Sequence, residues 1–223
     1  MPKCEIIERD AGIRALLLPF IRREHEGHPD LVCLEEFAIY GGAHRADVAA
    51  LNGCSHGYEI KSDRDTLERL PNQVEAYSAI FEQATLVSSP RHLECAVNII
   101  PQWWGIVEVQ LNTGERPFLK RVRASSTNPA PNATAIASLL WQSEALELLI
   151  ALGLDTGVRS KPSYVLIERL AQRVPLERLS SHVRAILRAR GDWRSAARLR
   201  QYDGSSQRPA NQLRYRRSPY GST

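Results

Sequence analysis

Residues 36–61 read EFAIYGGAHRADVAALNGCSHGYEIK and contain the pattern that decides the fold. Gly41-Gly42 and Asn52-Gly53 divide this stretch into three short segments. Both dipeptides are strong local signals for a β-hairpin. We therefore predict an antiparallel meander with strands at residues 31–40, 43–51 and 56–62.

The two turns also predict the register of the meander. A two-residue turn at Gly41-Gly42 places Glu36 opposite Asp47, and a turn centred on Gly53 places Asp47 opposite Glu59. Because side chains alternate along a strand, one face is polar and the other is apolar apart from Glu35. The polar face holds Glu36, Asp47, Glu59 and Lys61, and the apolar face holds Phe37, Ile39, Val48, Tyr58 and Ile60.

The segments on either side of the meander predict an α/β protein with a mainly helical C-terminal extension. A helix is expected at 11–23, and a second helix at 65–83 carries Gln73 and Tyr77 one turn apart. Further strands are expected at 84–89, 103–111 and 115–123, and further helices at 134–152, 164–172, 175–189 and 192–199. The predicted regions are a sheet-containing domain at 1–124, a helical basic region at 133–201 and a disordered arginine-rich tail at 202–223.

Charge is distributed unevenly along the 223 residues, whose net charge is +4. Residues 1–158 hold 14 Lys and Arg against 21 Asp and Glu, whereas residues 159–223 hold 15 against 4. An acidic body with a basic end favours a polyanionic partner such as DNA. The candidate phosphate contacts are Arg45, Arg184, Arg188 and Arg194. The competing interpretation is a solvated face for the last three and an ion pair with a neighbouring acid for Arg45.

Several classes of protein are disfavoured by the composition. The apolar runs are far too short to span a membrane, and the first residues lack the pattern of a secretion signal, so we expect a cytoplasmic protein. The four cysteines are widely spaced and form no C-x-x-C, which favours free thiols over a zinc site.

Three carboxylates converging on one face of a sheet suit a hard divalent cation. They repel one another and raise one another's pKa unless a cation neutralises them. Oxygen ligands favour Mg²⁺ or Mn²⁺ over zinc, and a metal-bound water has a lowered pKa and can attack phosphorus. Lys61 is placed to orient that water or to stabilise developing negative charge. The competing interpretation is a patch of solvated surface charges.

These residues resemble the signature of the PD-(D/E)XK nuclease superfamily over about residues 11–89. Asp47 stands for the Asp of the motif and Glu59-Ile60-Lys61 for its (Asp/Glu)-X-Lys, although Ala46 replaces the proline before the Asp. Gln73-x-x-x-Tyr77 is similar to the additional motif of RecB-like members, and Arg45-Ala46-Asp47-Val48 is similar to MmcB-like DNA-repair proteins. The resemblance implies a restriction-endonuclease-like αβββαβ core.

The resemblance also implies roles for individual residues. Asp47 and Glu59 bind the metal together with the Ile60 carbonyl, and Lys61 positions or activates water. Gln73 orders the site or contacts phosphate, while Tyr77 belongs either to the site or to the core. Glu36 is the early acid of the motif; many members carry that acid on the first helix, so Glu24 and Glu26 are alternatives to Glu36.

The expected function is a Mg²⁺- or Mn²⁺-dependent nuclease that hydrolyses phosphodiester bonds in DNA, in repair, recombination or defence. Many nucleases with this core act as pairs, which makes a homodimer an option. The alternative is a catalytically silent nuclease fold retained as a DNA- or protein-binding module.

Overall fold

A six-stranded mixed sheet forms the centre of the protein in a computed structural model that describes residues 9–110 and 117–190. The strands are β1 (Val32–Ile39), β2 (His44–Leu51), β3 (Ser55–Lys61), β4 (Gln83–Ser88), β5 (Gly105–Gln110) and β6 (Phe118–Arg123). They lie side by side in chain order. β1 to β3 form the predicted antiparallel meander, β3 to β5 are parallel, and β6 returns antiparallel to β5.

Seven helices surround this sheet in the described part of the chain, which confirms a mixed α/β protein with a helical C-terminal part. They are α1 (Asp10–Glu24), α2 (Leu70–Ile80), α3 (Pro90–Val97), α4 (Ala133–Ala137), α5 (Gln142–Ala151), α6 (Ser163–Arg173) and α7 (Leu176–Ala189). The predicted helix at 192–199 and tail at 202–223 lie outside the described residues.

Two helices differ from the sequence-based expectation. α3 was not predicted; it begins at Pro90, and proline is favoured in the first turn of a helix. The long helix expected at 134–152 is divided into α4 and α5. The backbone of Trp141 is extended, and the Glu144 carboxylate accepts its N–H at 2.7 Å, which starts a new helix.

The register of the meander is the predicted one. Glu35 pairs with Val48 and Phe37 with Ala46, which leaves Glu36 between them opposite Asp47. On the other side of β2, Val48 pairs with Tyr58, as expected from a turn centred on Gly53. The two turns therefore set the pairing of all three strands.

The backbone of Glu36 departs from a regular strand. Its φ of 52° lies in the left-handed region, which is rare for a residue with a side chain. This single residue interrupts the alternation, and Phe37 turns towards the ring of Phe81, 6.1 Å away, on the α2 side of the sheet. The prediction that Phe37 shares a face with Val48 was wrong for this reason.

The core lies on both faces of the sheet. On one face α1 buries its apolar side chains against the strands: Ile13, Leu17, Phe20 and Ile21 against Val48, Ala50, Tyr58, Ile60, Val87, Val107 and Val109. On the other face α2, α4 and α7 line an apolar junction with Phe37 and Leu51. The described residues up to Ala189 form one compact unit, which includes the helices α4 to α7.

No helix in the described ranges is both long enough and apolar enough to cross a membrane. Cys33, Cys54 and Cys95 are free thiols, as the cysteine spacing predicts.

Candidate active site

A buried polar network joins the end of β3 to α2. Lys61 Nζ donates to Glu59 Oε1 at 2.7 Å and to Gln73 Oε1 at 2.8 Å. The hydroxyl of Tyr77 donates to Glu59 Oε2 at 2.7 Å. Glu59 is 1% exposed and Lys61 is 2% exposed, so their charges are compensated within the protein. Three predicted site residues, Glu59, Lys61 and Gln73, are thus brought together with Tyr77 as one hydrogen-bonded group.

Tyr77 belongs both to the polar network and to the core, the two alternatives that the sequence left open. Its ring packs against Phe81 and Trp104 with centroids 5.2 and 5.4 Å apart. Its hydroxyl also accepts the backbone N–H of Asp47 at 3.2 Å. Tyr77 therefore connects β2 and β3 to α2 at the position where the acids lie.

Gly57 allows this close approach of α2 to the sheet. A Cβ at this position would lie 2.8 Å from Tyr77 Cδ1 and closer still to the ring of Phe81. Real Cβ atoms do not approach ring carbons so closely. The absence of a side chain at Gly57 is therefore what brings Tyr77 within reach of Glu59.

An acidic cluster lies next to the network and differs from the predicted metal set. Asp10, Glu36 and Asp47 each offer one carboxylate oxygen, and these oxygens lie within 4.8 Å of one another. This is the single group of three or more candidate ligands in the part of the chain that the structure describes. Glu36 and Asp47 confirm their predicted proximity, whereas Glu59 is engaged with Lys61 and Tyr77 and is not a member of the cluster.

Ile60 takes part in the site through its backbone N–H, whereas its carbonyl was the atom expected to bind the metal. Its N–H donates to Asp47 Oδ2 at 2.7 Å. This bond fixes one oxygen of Asp47 and leaves Oδ1 directed towards Arg14, 3.5 Å away. Asp47 is therefore held between the β3 backbone and the acidic cluster.

The acid contributed by the first helix is Asp10. The alternatives Glu24 and Glu26 lie elsewhere: Glu24 forms an ion pair with Arg121, and Glu26 lines a groove with His25 and His28. Asp10 and Glu24 begin and end the 15-residue α1, and so stand about 20 Å apart along its axis. The sequence does contain a signal for the position of Asp10. The spacing Asp10-x-x-x-Arg14 places an ion pair on one face of the helix.

Arg14 supplies the positive charge nearest to the cluster. Its Nη2 lies 2.6 Å from Asp10 Oδ2 and 2.6 Å from Glu36 Oε1. The Arg14 side chain is 11% exposed and borders an open groove between α1 and β1 that Asp10, Leu18 and Glu35 also line. The groove leaves one side of the cluster accessible from the surface.

Burial perturbs the acids of this region. Burial, and after it the neighbouring Glu59 charge, raise the pKa of Asp47 to about 8 against the opposing effect of the Ile60 N–H bond. Burial likewise raises the pKa of Glu59 above its usual range, although Lys61 and Tyr77 favour its charged form. Perturbed acids of this kind are common where proteins bind cations or transfer protons.

The acidic cluster fits a divalent cation by its donor atoms. Three carboxylates offer the oxygen ligands that Mg²⁺ and Mn²⁺ prefer. Asp10 Oδ1 is buried without a hydrogen-bond partner, which leaves an acceptor that a cation would satisfy. Asp10, Glu36 and Asp47 are therefore the residues able to hold the ion, with Lys61 adjacent through Glu59.

The arginines predicted to bind nucleic acid have different surroundings. Arg45 is 61% exposed and lies 3.4 Å from Glu36, at the border of the cluster. Arg184 is 15% exposed and bonds to Glu82 Oε2 at 2.5 Å, and Arg188 pairs with Asp30 at 3.2 Å. Both connect α7 to preceding parts of the chain through ion pairs, and their contact with a phosphate backbone stays a prediction. Arg194 lies outside the described residues.

Comparisons with known proteins place the chain in a phage family. A sequence model described as Bacteriophage P4 protein cII matches residues 6–214. The curated protein cII of Enterobacteria phage P4 is 30% identical over 125 residues, which are 56% of this chain and 47% of that protein. The chain thus spans about half the length of the curated relative it matches. A solved protein of unknown function from Silicibacter pomeroyi covers 63% of this chain and 89% of its own, at 18% identity and a TM-score of 0.35, a likeness too low to support an argument. Because the family match extends over nearly the whole sequence, the chain belongs to the bacteriophage P4 protein cII family.

Proposed function

We propose that this protein is a metal-dependent nuclease that hydrolyses phosphodiester bonds in DNA in the cytoplasm, built on a restriction-endonuclease-like core. The order α1-β1-β2-β3-α2-β4 supports this proposal, because it is the αβββαβ order that the PD-(D/E)XK resemblance implies. The RecB-like and MmcB-like similarities of Gln73-x-x-x-Tyr77 and Arg45-Ala46-Asp47-Val48 support it further.

One observation carries the proposal: the Glu59–Lys61–Gln73–Tyr77 network adjoins an accessible group of three carboxylates. A protein core can be stable without the buried Glu59–Lys61 ion pair and without three acids close to it. Buried ion pairs contribute little net stability. A site that must hold a cation and a lysine beside a phosphate requires both.

The chain's own residues divide the work in this proposal. Asp10, Glu36 and Asp47 hold a Mg²⁺ or Mn²⁺ ion. The bound ion supplies Lewis acidity and a water of lowered pKa. Glu59 and Gln73 fix the Lys61 ammonium in place, so that its charge faces the scissile phosphate without reorganisation. Arg45 contacts a flanking phosphate, which positions DNA without reading its sequence.

Cleavage of a panel of labelled DNA structures in Mg²⁺ and Mn²⁺ tests this function, with Glu36→Gln and Glu35→Gln as a matched pair. Glu35 and Glu36 are neighbours, equally exposed at 36% and 37%, and both approach Arg14. Only Glu36 belongs to the acidic cluster. We expect Glu36→Gln to reduce cleavage at least 100-fold, roughly the cost of losing one electrostatic contact in a transition state. At saturating metal concentration, we expect Glu35→Gln to remain close to the wild type. Equal effects of the two changes, or no cleavage by the wild type under either metal, would contradict the assignment.

The second candidate is a catalytically silent nuclease fold that binds DNA or protein. The position of Arg14 favours it, since a guanidinium already neutralises the cluster. This candidate predicts salt-sensitive DNA binding with no cleavage, and no change in that binding on Glu36→Gln.

A further inference from the structure

Arg14 enters the acidic cluster so that one nitrogen reaches all three carboxylates. Its Nη2 lies 2.6 Å from Asp10 Oδ2, 2.6 Å from Glu36 Oε1 and 3.5 Å from Asp47 Oδ1. A Mg²⁺ ion that took one oxygen from each carboxylate would need contacts of about 2.1 Å to the same group of atoms. The ion and Nη2 therefore compete for one position.

A second carboxylate stands beside the guanidinium, outside the cluster. Glu35 Oε2 lies 3.8 Å from Nη1 of Arg14, on the wall of the open groove. A small movement of the Arg14 side chain along the groove would exchange its contact with Glu36 for one with Glu35. The left-handed backbone of Glu36 brings both neighbouring acids within reach of the same arginine.

We propose that Arg14 is the resident cation of the acidic cluster, and that a divalent ion binds there only in exchange for it, with the guanidinium moving towards Glu35. This inference rests on one part of the proposed function, namely that the acidic cluster is the metal site. Arg14 is then a positioning residue that sets metal affinity: it keeps the carboxylates together before the ion binds and lowers the affinity of the ion by competition.

Calorimetric titration with Mn²⁺ tests the exchange without any measurement of activity. The proteins are the wild type, Arg14→Gln and, as a control, Arg22→Gln at an exposed position near the other end of α1. We expect Arg14→Gln to bind Mn²⁺ at least tenfold more tightly, because the competing charge is gone, and Arg22→Gln to match the wild type. Unchanged or weaker binding by Arg14→Gln overturns the proposal, as does the absence of Mn²⁺ binding by every protein.

A charge-balanced background keeps the test decisive if Arg14→Gln alone does not fold. Glu36→Gln removes one negative charge, and the double variant Arg14→Gln/Glu36→Gln then removes one positive charge as well. We expect the double variant to bind Mn²⁺ more tightly than Glu36→Gln alone, and equal or weaker binding overturns the exchange.

DNA cleavage measured on the same proteins separates the two proposals. Tighter Mn²⁺ binding without cleavage by any variant supports the exchange and contradicts the nuclease. Metal-dependent cleavage with unchanged affinity in Arg14→Gln supports the nuclease and overturns the exchange.

Discussion

Lys61 Nζ lies 2.7 Å from Glu59 Oε1, two residues away on the same strand, and both side chains are almost completely excluded from solvent. Side chains two residues apart point to one face of a strand. The ammonium is held from the other side by Gln73, and the carboxylate by Tyr77. If either member of this buried pair is removed, the charge of the other member stays buried without its partner.

Lys61→Met should destabilise the protein by about 3–5 kcal/mol, because Glu59 would be left buried without its partner. The double variant Glu59→Gln/Lys61→Met should recover most of that loss while remaining inactive. Urea unfolding at pH 7 measures both effects. A single variant as stable as the wild type would show that the pair does not act as a unit.

Asp47→Asn should abolish metal-dependent cleavage and also make the protein more stable at alkaline pH. The folded pKa of Asp47 is about 8 and the model-peptide value is 3.8. Between these values the folded protein holds one more proton than the unfolded chain, so the stability of the wild type falls as pH rises through this window.

The variant lacks this titration, and its single amide oxygen can occupy the position of Asp47 Oδ2 and accept the Ile60 N–H. Its advantage over the wild type should therefore grow by about 1.4 kcal/mol per pH unit from about pH 4 to pH 8, and then level off. Urea unfolding across this range measures the slope, and a constant difference between the two proteins would contradict the raised pKa.

His56 should make the protein sensitive to acid. Burial, together with the nearby His25, lowers the pKa of His56 from 6.5 to about 3. Its Nε2 lies 2.8 Å from Thr85 Oγ1, and its ring stacks on Tyr58 at 4.2 Å. Below pH 6.5 the unfolded chain takes up a proton that the folded protein excludes, so stability falls as pH falls towards 3.

The expected slope for this group is about 1.4 kcal/mol per pH unit between pH 6.5 and 3. His56→Gln should flatten the stability curve in that window relative to the wild type. Identical slopes in the two proteins would argue against a buried neutral His56.

Arg184→Ala should weaken the fold and leave the salt dependence of DNA binding unchanged. Arg184 bonds to Glu82, which also accepts the backbone N–H of Ser55 at 2.7 Å, so the arginine links α7 to the start of β3. We expect a loss of about 1–3 kcal/mol in thermal or urea unfolding. Arg178→Ala on the exposed face of α7 is the control. A reduced salt slope in Arg184→Ala alone would instead support its predicted role as a phosphate contact.

The part of the structure that could be predicted from the sequence is the part encoded locally. Gly41-Gly42 and Gly53 mark turns, and alternation then places Glu36, Asp47 and Glu59 abreast without knowledge of anything else in the chain. The position of Gln73 and Tyr77 one turn apart on the helix after β3 was predicted as well, whereas the hydrogen bond from Lys61 to Gln73 was not.

The remaining features depend on packing between distant segments. Asp10 reaches Asp47 because α1 crosses the sheet at a particular angle, and neither residue indicates that angle. The ion pair of Arg184 with Glu82 joins positions 102 residues apart. The sequence around Arg184 shows a basic face of α7 but does not indicate this distant partner. The left-handed backbone at Glu36 reversed the face of Phe37, and glutamate gives no local signal for that conformation.

The rings of Tyr77 and Phe81 pack directly on the backbone of Gly57. The thickness of these rings therefore sets the distance between the sheet and α2. The segment at 62–69 that connects β3 to α2 does not set that spacing. Related chains should accordingly accept insertions in this surface segment, because a longer loop costs little closure entropy and leaves Gln73 and Tyr77 in register with Glu59. One methyl group at position 57 should do more harm to the site than several added residues in the loop.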